Sequence, residues 1–148
     1  MSRDRRVLAN GRASGDGRHV RLYHWFIATP AWRDLDTVAR CAYVELAARY
    51  YGSNNGRVGM SVRMLAKALN VAPATAARAL HSLEVHGFIA TTKRGGFNCK
   101  VRHASEFRLT EFPDENGAFA TKDFARWSKN TVHVATLHRA RPETATAA

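Results

Sequence analysis

A chain of 148 residues has room for one domain with tails, and 45% apolar residues with only 4 Pro can build an ordinary core, which argues against disorder throughout. The 23 Lys and Arg outnumber the 12 Asp and Glu to give a net charge of +11, so a polyanionic partner is expected, nucleic acid first and an anionic membrane surface second. Cys41 and Cys99 are lone thiols without framework spacing, and they argue against a disulfide-stapled secreted module. The charged start lacks the apolar stretch of about 7–15 residues that a signal peptide needs. No run approaches the length of a membrane span. The expectation is a reduced, cytoplasmic, nucleoid-associated protein without a membrane segment.

Residues 1–18 carry Arg3, Arg5, Arg6, Arg12 and Arg18 against Asp4 and Asp16, with Gly11, Gly15 and Gly17 breaking any periodicity. They read as a flexible basic arm, either without a role or reaching for phosphates. His19–Phe26 reads as a short strand or an extended lead-in. Thr29 caps a helical turn with Pro30 at its first position, running through Trp32 and Leu35. Asp36 caps the next helix, whose inner face is Leu35, Val38, Ala39, Ala42, Leu46 and Tyr50. Asp36–Arg40 and Glu45–Arg49 stand at i, i+4 on it. Gly52 ends it, and Ser53–Gly56 is a turn. Tyr50 is expected in the core, and Tyr51 on a surface open to a second copy.

Arg57–Met60 is short but able to pair at a sheet edge. Ser61 caps a second helix with Val62, Leu65, Ala66 and Leu69 inward. Asn70 stands where a tight turn needs left-handed backbone. Pro73 starts a third helix, about 73–86, with Ala76, Leu80 and Leu83 inward and Gly87 closing it. Two β-prone runs, 88–92 and 97–101, flank Lys93-Arg94-Gly95-Gly96 and read as a hairpin with a Gly-Gly tip. A further strand spans Glu106–Thr110. Glu111–Gly117 reads as an acidic loop, and 121–127 as a short docking helix with Phe124 and Trp127 on one side. These two aromatics either seal the core or anchor a partner. Residues 128–148 read as tail. The expected division is an arm at 1–18, a domain at 19–110, a loop and docking helix at 111–127, and the tail.

Helix, tight turn, helix and basic hairpin make a winged helix-turn-helix, in a fold that is mainly α with a small antiparallel sheet (α+β). The second helix of such a unit enters the major groove with its N-terminal half. Its outward residues Ala74, Thr75, Ala77, Arg78 and His81 are the candidates for base readout. Arg78 suits guanine O6 and N7, and the alanines suit thymine methyls. Few of these side chains hydrogen-bond, so DNA shape is expected to contribute. Arg63, Lys67, Ser82, Lys93, Arg94, Lys100 and Arg102 are candidates for phosphate contact. Between Arg21 and Thr110 there are 13 basic residues against 5 acidic ones, so the charge belongs to the domain and not to the tails alone. The expected partner is double-stranded DNA, and the expected function is sequence-specific binding that regulates transcription. A protein-interaction module on the same scaffold is the rival from another class. RNA binding lacks the aromatic sheet platform of common single-strand readers.

SVRMLAKALNVAPATAARALHSLEVHGFIATTKRGGF is similar to the winged helix-turn-helix domains of bacterial regulators and of plasmid or phage replication-initiation proteins. Taken together, NNGRVGMSVRMLAKALNV, LEVHGFI, KVRHASEFRLTEFP and TKDFARW resemble the small helix-turn-helix proteins of bacterial mobile elements, over roughly Arg18–Trp127. The resemblance implies DNA binding with recognition residues near Ala74, Thr75, Ala77 and Arg78, and leaves regulator and replication initiator both open. Ala72 departs from the usual Ser or Thr that starts the recognition helix, losing a cap of about 1 kcal/mol and a common phosphate contact. Homodimers suit such proteins because paired half-sites raise affinity, although no dedicated dimer helix stands out.

Catalytic and cofactor signatures are missing from the sequence. There is no phosphate-binding G-x-x-x-x-G-K-[ST], no H-E-x-x-H, no C-x-x-C and no G-x-S-x-G. His81 and His86, five residues apart, fall on different sides of a helix, and Asp114 with Glu115 has no second acid cluster beside it. The chain is expected not to be an enzyme and to need no metal, cofactor or small-molecule ligand.

Overall fold

The computed structural model describes residues 18–98 and 101–129, with 97, 98, 101 and 102 described through their backbone. The arm up to residue 17, Cys99, Lys100 and the tail from 130 lie outside the described residues. The elements in chain order are α1 (His24–Ile27), α2 (Pro30–Asp34), α3 (Thr37–Arg49), β1 (Val58–Met60), α4 (Val62–Leu69), α5 (Pro73–Val85), β2 (Ile89–Lys93), β3 (Gly96–Asn98), β4 (Val101–His103), β5 (Ser105–Leu109) and a 3-10 turn (Asp123–Arg126). A winged helix-turn-helix of the α+β class is what these elements form.

Local chemistry explains most helix starts. The Thr29 hydroxyl accepts from the Trp32 amide at 3.3 Å, the Asp36 carboxylate from Ala39 at 2.7 Å, and the Ser61 hydroxyl from Met64 at 3.2 Å. Asn70 does take the left-handed conformation, φ 53 and ψ 47, and closes α4 ahead of the turn into α5. Of the strand or extended lead-in expected at 19–26, no strand forms. That segment is irregular up to Tyr23 and then makes one helical turn, because its aromatic residues pack against helices and no strand lies beside them. Helix α3 ends at Arg49, ahead of Gly52, with Tyr50 already extended. Its buried face is Ala39, Ala42, Tyr43 and Leu46. Tyr43 was not expected there, while Val38 and Tyr50 are half-buried at the margin of the core. The Asp36 carboxylate is spent on its cap, and Arg40 instead donates to the carbonyls of Trp32 and Arg33 at 3.2 and 3.1 Å.

The sheet runs β1-β5-β2, antiparallel throughout, with Val58 opposite Phe107 and Ile89 opposite Leu109. This corrects the expected hairpin. β2 pairs with β5, and Gly95-Gly96 is not a tip. The chain passes through Gly95 into β3, which pairs with β4 as a separate two-stranded extension. The Gly95 amide donates to the Ser105 hydroxyl at 2.9 Å, and a Cβ there would lie 2.8 Å from the His103 carbonyl oxygen. Glycine is needed for that close approach rather than for a turn. β2 also carries a bulge, as Lys93 faces Glu106 directly after Thr91 faces Phe107. The bulged Thr92 hydroxyl sits 2.6 Å from the Gly56 carbonyl and 2.9 Å from that of Glu106.

An aromatic core lies behind α5. Phe26, Tyr43, Phe88 and Phe124 are fully buried, and Trp32 is nearly so. Phe88 and Phe124 stack 4.9 Å apart with planes within 8°. Phe124 therefore seals the core, through a single 3-10 turn and not a docking helix. Asn55 is buried and acts as a substitute strand. Its Oδ1 accepts from the Leu109 amide at 2.7 Å, and its Nδ2 donates to the carbonyls of Leu109, Phe112 and Pro113 within 3.0 Å. Glu111 opens the stretch read as an acidic loop. It is buried, and the Tyr43 hydroxyl donates to its Oε2 at 2.6 Å. Burial raises the Glu111 carboxyl above the ordinary carboxylate range, against the Tyr43 hydrogen bond and the Lys122 charge. Burial, with the Glu111 charge behind it, holds the Tyr43 phenol well above its usual value. Glu115 of the same loop pairs with Arg57.

Candidate nucleic-acid interface

Helix α5 presents two unlike faces. Ala76, Ala79, Leu80 and Leu83 are buried against α3 and α4. Ala74, Ala77, Arg78 and His81 are exposed, and Thr75 and Ser82 are half-buried. Four of the expected reader positions thus share the solvent face of one helix, with Thr75 and Ser82 at its margins. The Arg78 guanidinium reaches back over the first turn to 3.5 Å from the Thr75 hydroxyl. Small residues on both sides leave the backbone of that turn close to the surface. Ala72 has extended backbone at the N-cap and offers no side-chain acceptor to the first-turn amides, as expected from its side chain.

Exposed cations stand on the elements that pack beside α5. Arg63 and Lys67 are exposed on α4, and Lys93 and Arg94 are exposed where β2 leaves the sheet. Arg102 is described only through its backbone, opposite Phe97 in the extension, and Lys100 lies outside the described residues.

The other end of α5 is fastened. His86 is buried. Its Nδ1 lies 2.7 Å from the Ser82 carbonyl, its Nε2 lies 3.0 Å from Asp34 Oδ2, and its ring stacks on Trp127 at 4.5 Å. Asp34 also pairs with Lys129 at 2.7 Å. Hydrogen bonds from Lys129 and then His86 hold the Asp34 carboxyl below its ordinary value. Sequence reading missed this clasp because its members lie 52 and 41 positions apart in the chain. The only local hint was His86 directly before the helix-ending Gly87.

A helix-turn-helix with an exposed second helix, a β-wing and a strongly basic sequence is a DNA-binding domain. The family model of the IclR helix-turn-helix domain matches residues 54–93, from the turn before β1 through α4 and α5 to the end of β2. No curated protein and no solved structure is significantly similar to the chain. A helix-turn-helix domain of this kind is a binding module, not a catalytic one. Among the described residues, no helix is long and apolar enough to cross a membrane.

Proposed function

We propose that the chain is a sequence-specific, double-stranded DNA-binding regulator of transcription that acts in the cytoplasm, at the nucleoid, and is not an enzyme. The observation that carries the reading is the outward half of α5, where Ala74, Ala77, Arg78 and His81 are exposed on one face. In the major groove Arg78 donates to guanine O6 and N7, and the alanine methyls meet thymine methyls. Thr75 and His81 add hydrogen bonds to base edges. Arg63, Lys67, Ser82, Lys93, Arg94, Lys100 and Arg102 hold phosphates, which supplies affinity without sequence information. The uncapped start at Ala72 gives the helix its close approach at the expense of one phosphate contact. Two copies on paired half-sites raise the affinity further. The working unit is the domain at 19–110, with 111–127 docked on it.

The test is sequencing of fragmented source-genome DNA retained by the purified protein near physiological salt. The expected result is a few sharp peaks at promoters. Peaks confined to a repeat array would instead assign replication initiation, and peaks at the borders of an integrated element would assign a mobile-element role. Uniform retention that disappears with modest salt would sink sequence-specific binding and leave a protein-interaction module as the better reading.

A further inference from the structure

Residues 18–28 carry Arg18, His19, Arg21 and His24 and no carboxylate. Within that segment Tyr23 and Trp25 are 41% and 45% exposed. Rings of this size bury much apolar area when cover is available. These two are nevertheless ordered. Their planes lie within 19° at a separation of 6.2 Å, and Trp25 lies within 21° of the buried Phe124 ring at 6.0 Å. The stack that begins with Phe88 and Phe124 inside the core continues outward through Trp25 and ends at Tyr23 in solvent. A cation lies over each of the outer rings. The Arg21 guanidinium lies 5.8 Å from the Tyr23 ring centre, and the Lys122 ammonium lies 5.2 Å from that of Trp25. Lys122 is held in place by its backbone, which is left-handed at φ 48 and donates to the Thr110 carbonyl at 2.9 Å.

We propose that this cation-flanked aromatic ladder is a second nucleic-acid site, one that stacks the unpaired bases of single-stranded DNA. Surface rings held parallel offer stacking faces to any base, and Arg or Lys beside them meets the phosphates between bases. Charge selects this occupant over a second copy of the chain, because self-association would set Arg21 and Lys122 against like charges. An anionic lipid surface would accept the same cations, but it gives no account of rings aligned with one another on a core phenylalanine. The ladder is distinct from the duplex-reading face. The Phe124 amide donates to the Gly87 carbonyl, and Gly87 follows the C-terminal end of α5 at Val85, seven residues beyond Arg78 and about 10 Å along the helix axis. Duplex and single strand thus have separate places on the molecule.

The experiment is fluorescence anisotropy of labelled oligothymidylate, about 16 nucleotides long, with the full chain. Trp25 packs on Phe124, so the informative variants are Tyr23→Leu and Lys122→Gln, which leave that contact in place. Each is expected to weaken oligothymidylate binding about tenfold while leaving binding to the selected duplex little changed. Arg78→Ala is expected to do the reverse. Unchanged oligothymidylate affinity in both ladder variants would overturn the proposal, as would full competition by duplex. Loss of binding to phosphatidylglycerol vesicles, or of a concentration-dependent dimer, with oligothymidylate binding intact, would overturn it in favour of a membrane or a second copy. Selective loss of oligothymidylate binding in a protein that selects no duplex would sustain the ladder and sink the duplex reading alone.

Discussion

The two ends of α5 are built from opposite materials. At its C-terminal end His86 bonds to Asp34 and stacks on Trp127, Gly87 accepts from Phe124, and Phe88 lies in the aromatic core. At its N-terminal end Ala72 offers no cap, and Ala74, Ala77 and Arg78 stand in solvent. One end holds the helix, and the other is left bare for a ligand. Stability and recognition are therefore separable along one helix of 13 residues. A reader pressed against a rigid duplex needs its axis fixed from behind, because contacts at the front belong to the DNA.

Substitutions can break that separation. The largest effect is expected from Phe124→Ala, which empties a fully buried ring site against Phe26 and Phe88. Unfolding in denaturant should show a loss of about 3–5 kcal/mol. A loss below about 1 kcal/mol would mean that the 3-10 turn is not a structural plug. Next is Arg78→Ala, expected to weaken binding to the selected duplex by about 1–3 kcal/mol and to relax one base position. Its melting temperature should stay at the parent value, and a parallel fall in both would contradict the bare-end description. Ala72→Ser supplies the missing acceptor to the first-turn amides and should add about 1 kcal/mol of stability in the same unfolding assay. No gain would show that those amides are already satisfied. The smallest effect concerns acid. The folded Asp34 carboxyl titrates below its unfolded value, so its contribution is present above the ordinary aspartate range and is lost as pH falls through the folded value. Melting curves taken from roughly pH 5 down to pH 2 should therefore flatten in Asp34→Asn, and an unchanged acid limb would detach Asp34 from the clasp.

Much of the front of the molecule was legible in the sequence, because it is local. The caps at Thr29, Asp36 and Ser61, the left-handed Asn70 and the split of α5 into inner and outer faces all follow from residues within a turn of one another. The order of helix, turn, helix and wing followed from these. What was not legible is long-range. The Gly-Gly pair reads as a hairpin tip until β5 arrives to claim β2, and only then is Gly95 a crossing point. Tyr43 and Glu111 each look ordinary alone, one on a helix and one in an acidic run, and become a buried pair only after 68 residues of chain have been folded between them. The Tyr23 and Trp25 ladder read as a short strand or an extended lead-in, because aromatic residues favour strands. What decides their conformation is Phe124, about a hundred positions away.

Asn55 carries one more consequence, a chemical one. An asparagine followed by glycine is the dipeptide most open to attack by the next backbone nitrogen on the side-chain carbonyl, which leaves aspartate or isoaspartate behind. Here the Asn55 amide is pinned between the Leu109 backbone and two further carbonyls, and Gly56 is committed to φ +100. Neither group is free to reach the cyclic intermediate while the fold is closed. Deamidation at this pair therefore proceeds through opened molecules, and mass spectrometry of stored protein should find it rising with denaturant in step with unfolding. Position 55 is a clock that runs only when the sheet comes apart.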